Sequence, residues 1–290
     1  MPERARHDGA CAVNFVRRML WRFVCCRQVI PSKKGINFSI DPEKAEKWVA
    51  IIDAALQTSF LDSGSAAKLA GKLMWATQHL FHRVGRAMIR PIYAQKKTRD
   101  GVVGSRLKAA LLWWRDVLSE RVSETRPWVL SDSPPCHIFV DAASTPPRCA
   151  AVLAIAGRLW YTDVQPSTEL MGQFLVRRDK QIMTLEILAI IVALSTFDEM
   201  LRSRKVIVYS DNVGAEHATE KGSCKAADHN LLVHEIWTHA LRSRIHLWLE
   251  RVPSAENISD SPSRFEYEML EELGATWVRP SIAELYLGKD

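Results

Sequence analysis

The sequence predicts an α/β protein in which a mixed β-sheet flanked by helices follows a smaller all-α domain. Apolar residues recur at helical spacing in residues 36–130 and at strand spacing after residue 136. Between them, the segment "SETRPWVLSDSPP" clusters Ser, Asp and Pro and interrupts both patterns. A chain of 290 residues has room for two domains. We therefore expect a helical domain at 36–130, an α/β domain at 136–272, an uncertain basic segment at 1–35 and a tail at 273–290.

Three helices are predicted in the first domain. The segment "DPEKAEKWVAIIDAAL" places Asp41 as N-cap and Pro42 at the first helical position. A second helix is expected over 65–90, where leucines recur on one face, and Pro91 is expected to end it. The third helix is predicted over "RLKAALLWWRDVLSERV".

Basic residues are concentrated in the first half of the chain. Residues 1–130 contain 23 Lys and Arg against 11 Asp and Glu, whereas residues 131–290 contain 16 against 22. The basic half includes a predicted helical stripe at i, i+3 and i+7, with a basic extension beyond it: Arg83, Arg86 and Arg90, then Lys96, Lys97 and Arg99. Such a stripe could bind along the phosphate backbone of a nucleic acid. A solvated helix face and chance segregation of charge are the alternatives.

The second half alternates strands and helices. Strands are predicted over "CHIFVDAAS", "CAAVLAIAG", "RLWYTDV", "KVIVYSDN" and "IHLWLERV". Helices are predicted over "DKQIMTLEILAIIVALSTFDEML", "DHNLLVHEIWTHALRSR" and "NISDSPSRFEYEMLEEL". The order, three strands, a helix, a strand, one or more helices, a strand and a last helix, indicates a mixed sheet with helices packed on it.

Four acidic residues occupy unusual positions in this pattern. Asp141 and Asp211 each end an apolar strand, Glu186 interrupts an apolar helix, and Asp260 lies near the start of the last helix. If the two strands are neighbours, their carboxylates meet at one edge of the sheet and repel one another without a cation. Mg²⁺ prefers such oxygen ligands. Each acid alone also has an ordinary structural explanation, as a turn, helix-edge or helix-start residue.

The composition indicates a soluble intracellular protein. Hydrophobic residues make up 47% and charged residues 25%, and no apolar run is long enough for a membrane span. Six cysteines without regular spacing predict neither disulfides nor a zinc site. We expect a cytoplasmic or nuclear location. A mitochondrial one stays open because no acidic residue occurs from Gly9 to Ile40, although Glu3 and Asp8 argue against it.

Four short segments carry a resemblance to a known family. "FVDAAS", "TLEILAI", "YSDNVGA" and "VPSAENISDSPSR" resemble the ribonuclease H domain of retroelement reverse transcriptases, nearest to DIRS-like elements, over residues 136–272. A weaker resemblance to the preceding thumb and connection region covers 36–120. The resemblance implies a ribonuclease H-like mixed five-stranded sheet flanked by helices.

The resemblance also implies an activity. Asp141, Glu186, Asp211 and Asp260 would bind two Mg²⁺ ions, with Asp141 bridging them and Mn²⁺ as a possible substitute. The expected reaction is endonucleolytic hydrolysis of the RNA strand of an RNA–DNA hybrid, leaving a 3′-hydroxyl. The residues expected to contact this nucleic acid are Ser144, Asn212, Asn257 and Arg264, together with Arg83, Arg86 and Arg90. No membrane is implied, and no protein partner is indicated.

Two alternatives follow from departures in the sequence. Cellular ribonucleases H have a histidine before the last aspartate, whereas this chain has "LERVPSAEN", so a decayed nucleic-acid-binding module is the first alternative. The second is a polymerase palm that uses Asp141 and Asp211, since "YSDN" resembles a palm motif. Asn212 in place of a second aspartate argues against it.

Overall fold

A computed structural model of the chain describes residues 27–31, 35–79, 83–120, 123–127 and 133–282. Most of the basic segment predicted at 1–35 lies outside these residues. The chain divides into two compact units, one of Met1–Leu80 with Gln95–Leu130 and one of Phe81–Ala94 with Ser131–Asp290. Among the described residues, no helix is both long and apolar enough to cross a membrane.

Among the described residues before 130 there are four helices and three strands. The helices are α1 (Pro42–Thr58), α2 (Ser63–His79), α3 (Arg86–Gln95) and α4 (Ser105–Ser119). The strands β1 (Arg27–Pro31), β2 (Gly35–Ile40) and β3 (Ser123–Pro127) form an antiparallel sheet in the order β1-β2-β3. The prediction of an all-α domain is therefore wrong. Because β2 pairs with a strand on the far side of four helices, the local sequence pattern does not reveal the sheet.

The start of α1 is as predicted. Pro42 is the first helical residue, and the side chain of Asp41 accepts a hydrogen bond from the backbone N–H of Lys44 at 3.2 Å. Helix α1 packs against α4, burying Trp48 and Trp114. Capping and the apolar stripe are both local properties of the sequence, which is why this helix was predictable.

The helix predicted over residues 65–90 is not continuous. Helix α2 ends at His79, and α3 begins at Arg86 after a turn in which Gly85 has φ +81°. This backbone conformation is left-handed and favours glycine over other residues. The turn therefore divides the predicted helix in two.

Pro91 lies inside α3 rather than ending it. Proline has no N–H, so the carbonyl of Ala87, four residues earlier, loses its normal helical donor. Instead, the Nδ2 atom of Asn230 donates a buried hydrogen bond of 3.0 Å to this carbonyl. A distant side chain thus replaces the donor that proline lacks.

The second unit contains a six-stranded mixed sheet in the order β8-β7-β4-β5-β6-β9. The strands are β4 (Cys136–Ser144), β5 (Pro147–Ile155), β6 (Arg158–Val164), β7 (Lys205–Ser210), β8 (His246–Arg251) and β9 (Thr276–Trp277). Strands β4, β5 and β6 are antiparallel neighbours, whereas β7 is parallel to both β4 and β8. The predicted mixed sheet is confirmed. Its strand number is six rather than five, because β9 in the predicted tail pairs with β6.

In the described part of this unit, seven helices flank the sheet. They are α5 (Thr168–Met171), α6 (Ile182–Thr196), α7 (Asp198–Leu201), α8 (Val213–Lys221), α9 (Ala227–Arg242), α10 (Asp260–Ser263) and α11 (Glu268–Glu272). Helix α6 packs on β4 and β5 and is covered by α9, so it is buried on all sides. The last predicted helix, 257–273, is divided into α10 and α11, and Phe265 between them has φ +67°.

Candidate metal centre

The register of two parallel strands brings two of the predicted acids together. The last paired residues of β4 and β7 are Phe139 and Tyr209. Asp141 and Asp211 each follow two residues later, so the same register places them opposite each other. Residues two apart in a strand share a face. Strand β4 continues beyond Asp141 to Ser144, so the prediction that Asp141 ends this strand is wrong.

Glu186 completes a close group of three carboxylates. It lies on α6, which packs directly against β4 and β5. One ligand oxygen from each of Asp141, Glu186 and Asp211 lies within 4.8 Å of the other two. Three carboxylates at this separation could hold a metal ion.

Burial strongly perturbs two of these groups. The side chain of Glu186 is 4% exposed, and burial together with repulsion from Asp141 and Asp211 raises its pKa to about 9. Burial also raises the pKa of Asp141 to about 6, although a hydrogen bond from Ser263 opposes this increase. A low-dielectric environment disfavours the charged form of an acid, and like charges nearby add to that effect.

The donor set fits a hard divalent cation. Glu186 Oε2 is buried and has no hydrogen-bond partner among the described residues. Buried polar atoms are normally paired, and carboxylate oxygens are the ligands that Mg²⁺ and Mn²⁺ prefer. The unpaired oxygen and its acidic neighbours are therefore suited to such an ion.

The fourth predicted acid lies beside the close group and is not part of it. Asp260 begins α10, and its Oδ1 accepts hydrogen bonds from Nη2 and Nε of Arg264 at 2.7 and 3.0 Å. Its charge still contributes to the raised pKa of Asp141. Asp260 and Arg264 form an i, i+4 ion pair, so the guanidinium expected to contact nucleic acid binds this acid in the structure.

Asn257 forms hydrogen bonds inside the protein and does not face solvent. It is buried, its Nδ2 donates to the carbonyl of Val140 at 3.0 Å, and its Oδ1 accepts from the hydroxyl of Ser259 at 2.6 Å. Both ends of the amide are used within the protein, so the predicted direct contact with nucleic acid is not available to it. The bond to Val140 supports the strand one residue before Asp141.

The other helper residues lie at the edges of the site. Asn212 is the N-cap of α8, and its Oδ1 accepts from the N–H of Ala215 at 3.0 Å. Ser144 is half-buried at the end of β4. The side chain of Asn212 thus serves as a helix cap. Their contacts with nucleic acid stay predictions.

The predicted arginine stripe is interrupted and partly bound to the protein. Arg83 lies in the turn before α3, pairs with Glu220 at 3.4 Å and places its guanidinium 5.2 Å from the ring centre of Trp237. Arg86 donates to the carbonyl of Lys221 at 3.1 Å. A continuous helical stripe is therefore wrong, and contact of these arginines and of half-buried Arg90 with nucleic acid stays a prediction.

Sequence reasoning missed a buried polar network at the start of α6. Asp228 accepts from Arg177 at 2.6 and 2.8 Å, which helps to lower its pKa to about 2 although burial acts in the opposite direction. His229 and Thr184 form a 2.8 Å hydrogen bond. Because Thr184 precedes Glu186 by two residues, the network anchors the helix that carries this acid. The segment "ADHN" signals only a helix start.

Ser263 was also missed. It is buried beside Asp141, and its side chain acts to lower the pKa of that acid. Its hydroxyl donates a hydrogen bond of 2.8 Å to the backbone carbonyl of Asp260. Ser263 therefore connects the strand acid to the short helix that carries the fourth acid.

Comparison with known proteins assigns no family. No protein-family model matches the chain, and a search of curated proteins finds no similar sequence.

Proposed function

We propose that this protein is a divalent-metal-dependent nuclease of the ribonuclease H type that hydrolyses the RNA strand of RNA–DNA hybrids. The observation that carries the proposal is the convergence of the carboxylates of Asp141, Glu186 and Asp211 within 4.8 Å. A scaffold gains no stability from burying mutually repelling acids, whereas a metal site requires them.

The arrangement of the second unit supports this class of activity. Its mixed sheet, flanked by helices, is compatible with a ribonuclease H-like fold. Two of the acids lie on adjacent parallel strands, Asp141 within β4 and Asp211 directly after β7. The motifs around Asp141, Glu186, Asp211 and Asp260 are those that resemble retroelement ribonuclease H domains. A retroelement-derived reverse transcriptase fragment is the origin that we infer.

The residues have distinct roles in this proposal. Asp141, Glu186 and Asp211 would hold the metal, and Asp260, whose charge acts on Asp141, would join them in binding a second ion. Two bound divalent ions would supply an activated water and stabilise the leaving oxygen of the phosphodiester. Ser263 orients Asp141, and the buried position of α6 holds Glu186 rigidly, as a metal ligand requires.

The test is cleavage of an RNA–DNA hybrid labelled on the RNA strand. We expect Mg²⁺-dependent cleavage that leaves 3′-hydroxyl ends, is lost with a chelator, and is lost in Asp211→Asn. Glu199→Gln is the matched control, because Glu199 is an exposed acid on α7 outside the site. Equal cleavage by wild type and Asp211→Asn would contradict the metal site.

A non-catalytic nucleic-acid-binding module is the second candidate. It is favoured by the ion pair that engages Asp260 with Arg264 and by the absence of histidine from "LERVPSAEN". Binding of hybrid without cleavage by the wild-type protein, in either Mg²⁺ or Mn²⁺, would support this candidate over the nuclease.

A further inference from the structure

The first unit contains an open cleft that shares no residue with the carboxylate site. It has a volume of about 410 Å³ and lies beside the start of α2 and the loop that follows α3. Its lining combines basic, hydroxyl and aromatic side chains, and consists of Phe60, Asp62, Ser63, Lys96, Lys97, Thr98, Arg99 and Gly101.

The wall of this cleft is held in place by buried hydrogen bonds. Gln95 is buried, and its Nε2 donates to the carbonyls of Leu61 and Val102 at 3.1 and 3.2 Å. The N–H of Leu61 donates to the carbonyl of Gly101 at 2.8 Å. These bonds join the two sides of the cleft, so the basic side chains project from a defined backbone.

Positive charge dominates the cleft. Lys96, Lys97 and Arg99 are exposed, and within the part of the chain that the structure describes none of them forms an ion pair. Asp62 is the one acid in the lining, and its Oδ1 accepts from the N–H groups of Gly64 and Ser65, both at 2.9 Å. This carboxylate caps α2, so the three cations can attract an external anion.

An aromatic ring is presented beside these cations. Phe60 is 52% exposed, and its ring packs on Gly101 so closely that a Cβ atom there would be 2.3 Å away. Gly101 also has φ +67°, which favours glycine. The glycine thus allows the ring to lie against the loop while about half of its surface stays open.

Cations together with an open aromatic ring are the groups that bind single-stranded nucleic acids, because phosphates meet the cations and an unpaired base stacks on the ring. A duplex keeps its bases paired and has no base to stack there. We propose that this cleft binds a single strand of RNA or DNA, with backbone phosphates at Lys96, Lys97 and Arg99 and one base on Phe60. This site is independent of the proposed hydrolysis.

The test measures binding of a fluorescent single-stranded oligothymidylate to the full chain by anisotropy at several salt concentrations, with chelator present. The triple variant Lys96→Gln, Lys97→Gln, Arg99→Gln should bind about tenfold more weakly or worse at low salt. The slope of log affinity against log salt should fall by about two, since each phosphate contact on a single strand contributes about 0.7.

A charge-matched control distinguishes binding at the cleft from general electrostatic attraction between the oligonucleotide and the protein. Lys47→Gln, Lys72→Gln, Lys108→Gln removes the same charge from exposed positions of the same unit outside the cleft. This control should keep most of the affinity. Equal losses in the two triple variants, with both still folded by circular dichroism, would overturn the proposal.

The role of Phe60 is tested separately. Phe60→Leu keeps an apolar side chain against Gly101 but removes the stacking surface, so affinity should fall about fivefold or more with an unchanged salt slope. Unchanged affinity would overturn the stacking contact. Equal sensitivity of a blunt duplex to the cleft triple variant would overturn the preference for single strands.

Discussion

Replacing Glu186 by glutamine should stabilise the folded protein in the absence of divalent metal. Glu186 is buried, and its pKa is raised from 4.5 to about 9. At pH 7.5 the unfolded chain has lost this proton whereas the folded protein retains it, so stability falls by about 1.4 kcal/mol for each pH unit above 4.5. Over the three pH units from 4.5 to 7.5, the loss of stability amounts to about 4 kcal/mol. This value is an upper limit, because the repulsion between Glu186 and Asp141 raises the pKa of both acids and cannot be assigned to Glu186 alone.

The difference in stability between Glu186→Gln and wild type should depend on pH. Below pH 4.5 both states bind the proton, so Glu186→Gln should have little electrostatic effect. The stability gap between variant and wild type should grow from pH 4.5 towards pH 9 and then become constant. Glutamine keeps an acceptor for the N–H of Ala142, which bonds the glutamate.

The measurement is urea unfolding with chelator at several pH values, followed by a series in Mn²⁺. Metal should stabilise wild type by about 2.7 kcal/mol at one hundred times its dissociation constant and should stabilise Glu186→Gln less. Glu199→Gln should stay within about 0.5 kcal/mol of wild type throughout. A variant no more stable than wild type at pH 7.5, or a gap that does not change with pH, would refute the reasoning.

Three further perturbations test other contacts. Asn230→Ala should cost about 1–3 kcal/mol in urea unfolding, because the carbonyl of Ala87 loses its donor; an unchanged midpoint would show that water replaces it. Arg177→Met should cost about 3–5 kcal/mol at pH 7 by leaving the charge of Asp228 buried. Since the pKa of Asp228 is lowered to about 2, this difference should shrink as pH falls towards 2, and a constant difference would contradict the pairing. Arg264→Ala should raise Mn²⁺ affinity in calorimetry about two- to fivefold by releasing an acid beside the site, whereas weaker binding would show that the arginine supports the metal.

Much of the second unit was predictable from its sequence. Continuous apolar runs indicated the central strands, and the apolar segment around Glu186 indicated a buried helix. The acids at 141 and 211 could be grouped because each comes directly after a run of apolar strand residues. Two parallel neighbours with a common register then bring such positions together.

Two of the errors share a physical cause, which is dependence on distant parts of the chain. Strand β2 pairs with β3 beyond four helices, so no local periodicity indicates the sheet. Pro91 remains helical because Asn230, 143 residues from Ala87, supplies the missing donor. Asp260 lies outside the close group because α10 is a short separate helix whose acid pairs with Arg264.

By itself, the sequence determined most strands and helices of the second unit and which acids accompany them, because capping, turn chemistry and apolar periodicity act over a few residues. Only the tertiary structure decided how deeply these acids are buried and which of their carboxylate oxygens lie close together. Desolvation depends on atoms that α6, α9 and α10 bring from distant parts of the chain. The raised pKa values of Glu186 and Asp141, and with them the capacity to hold a cation, are therefore properties of the packed fold.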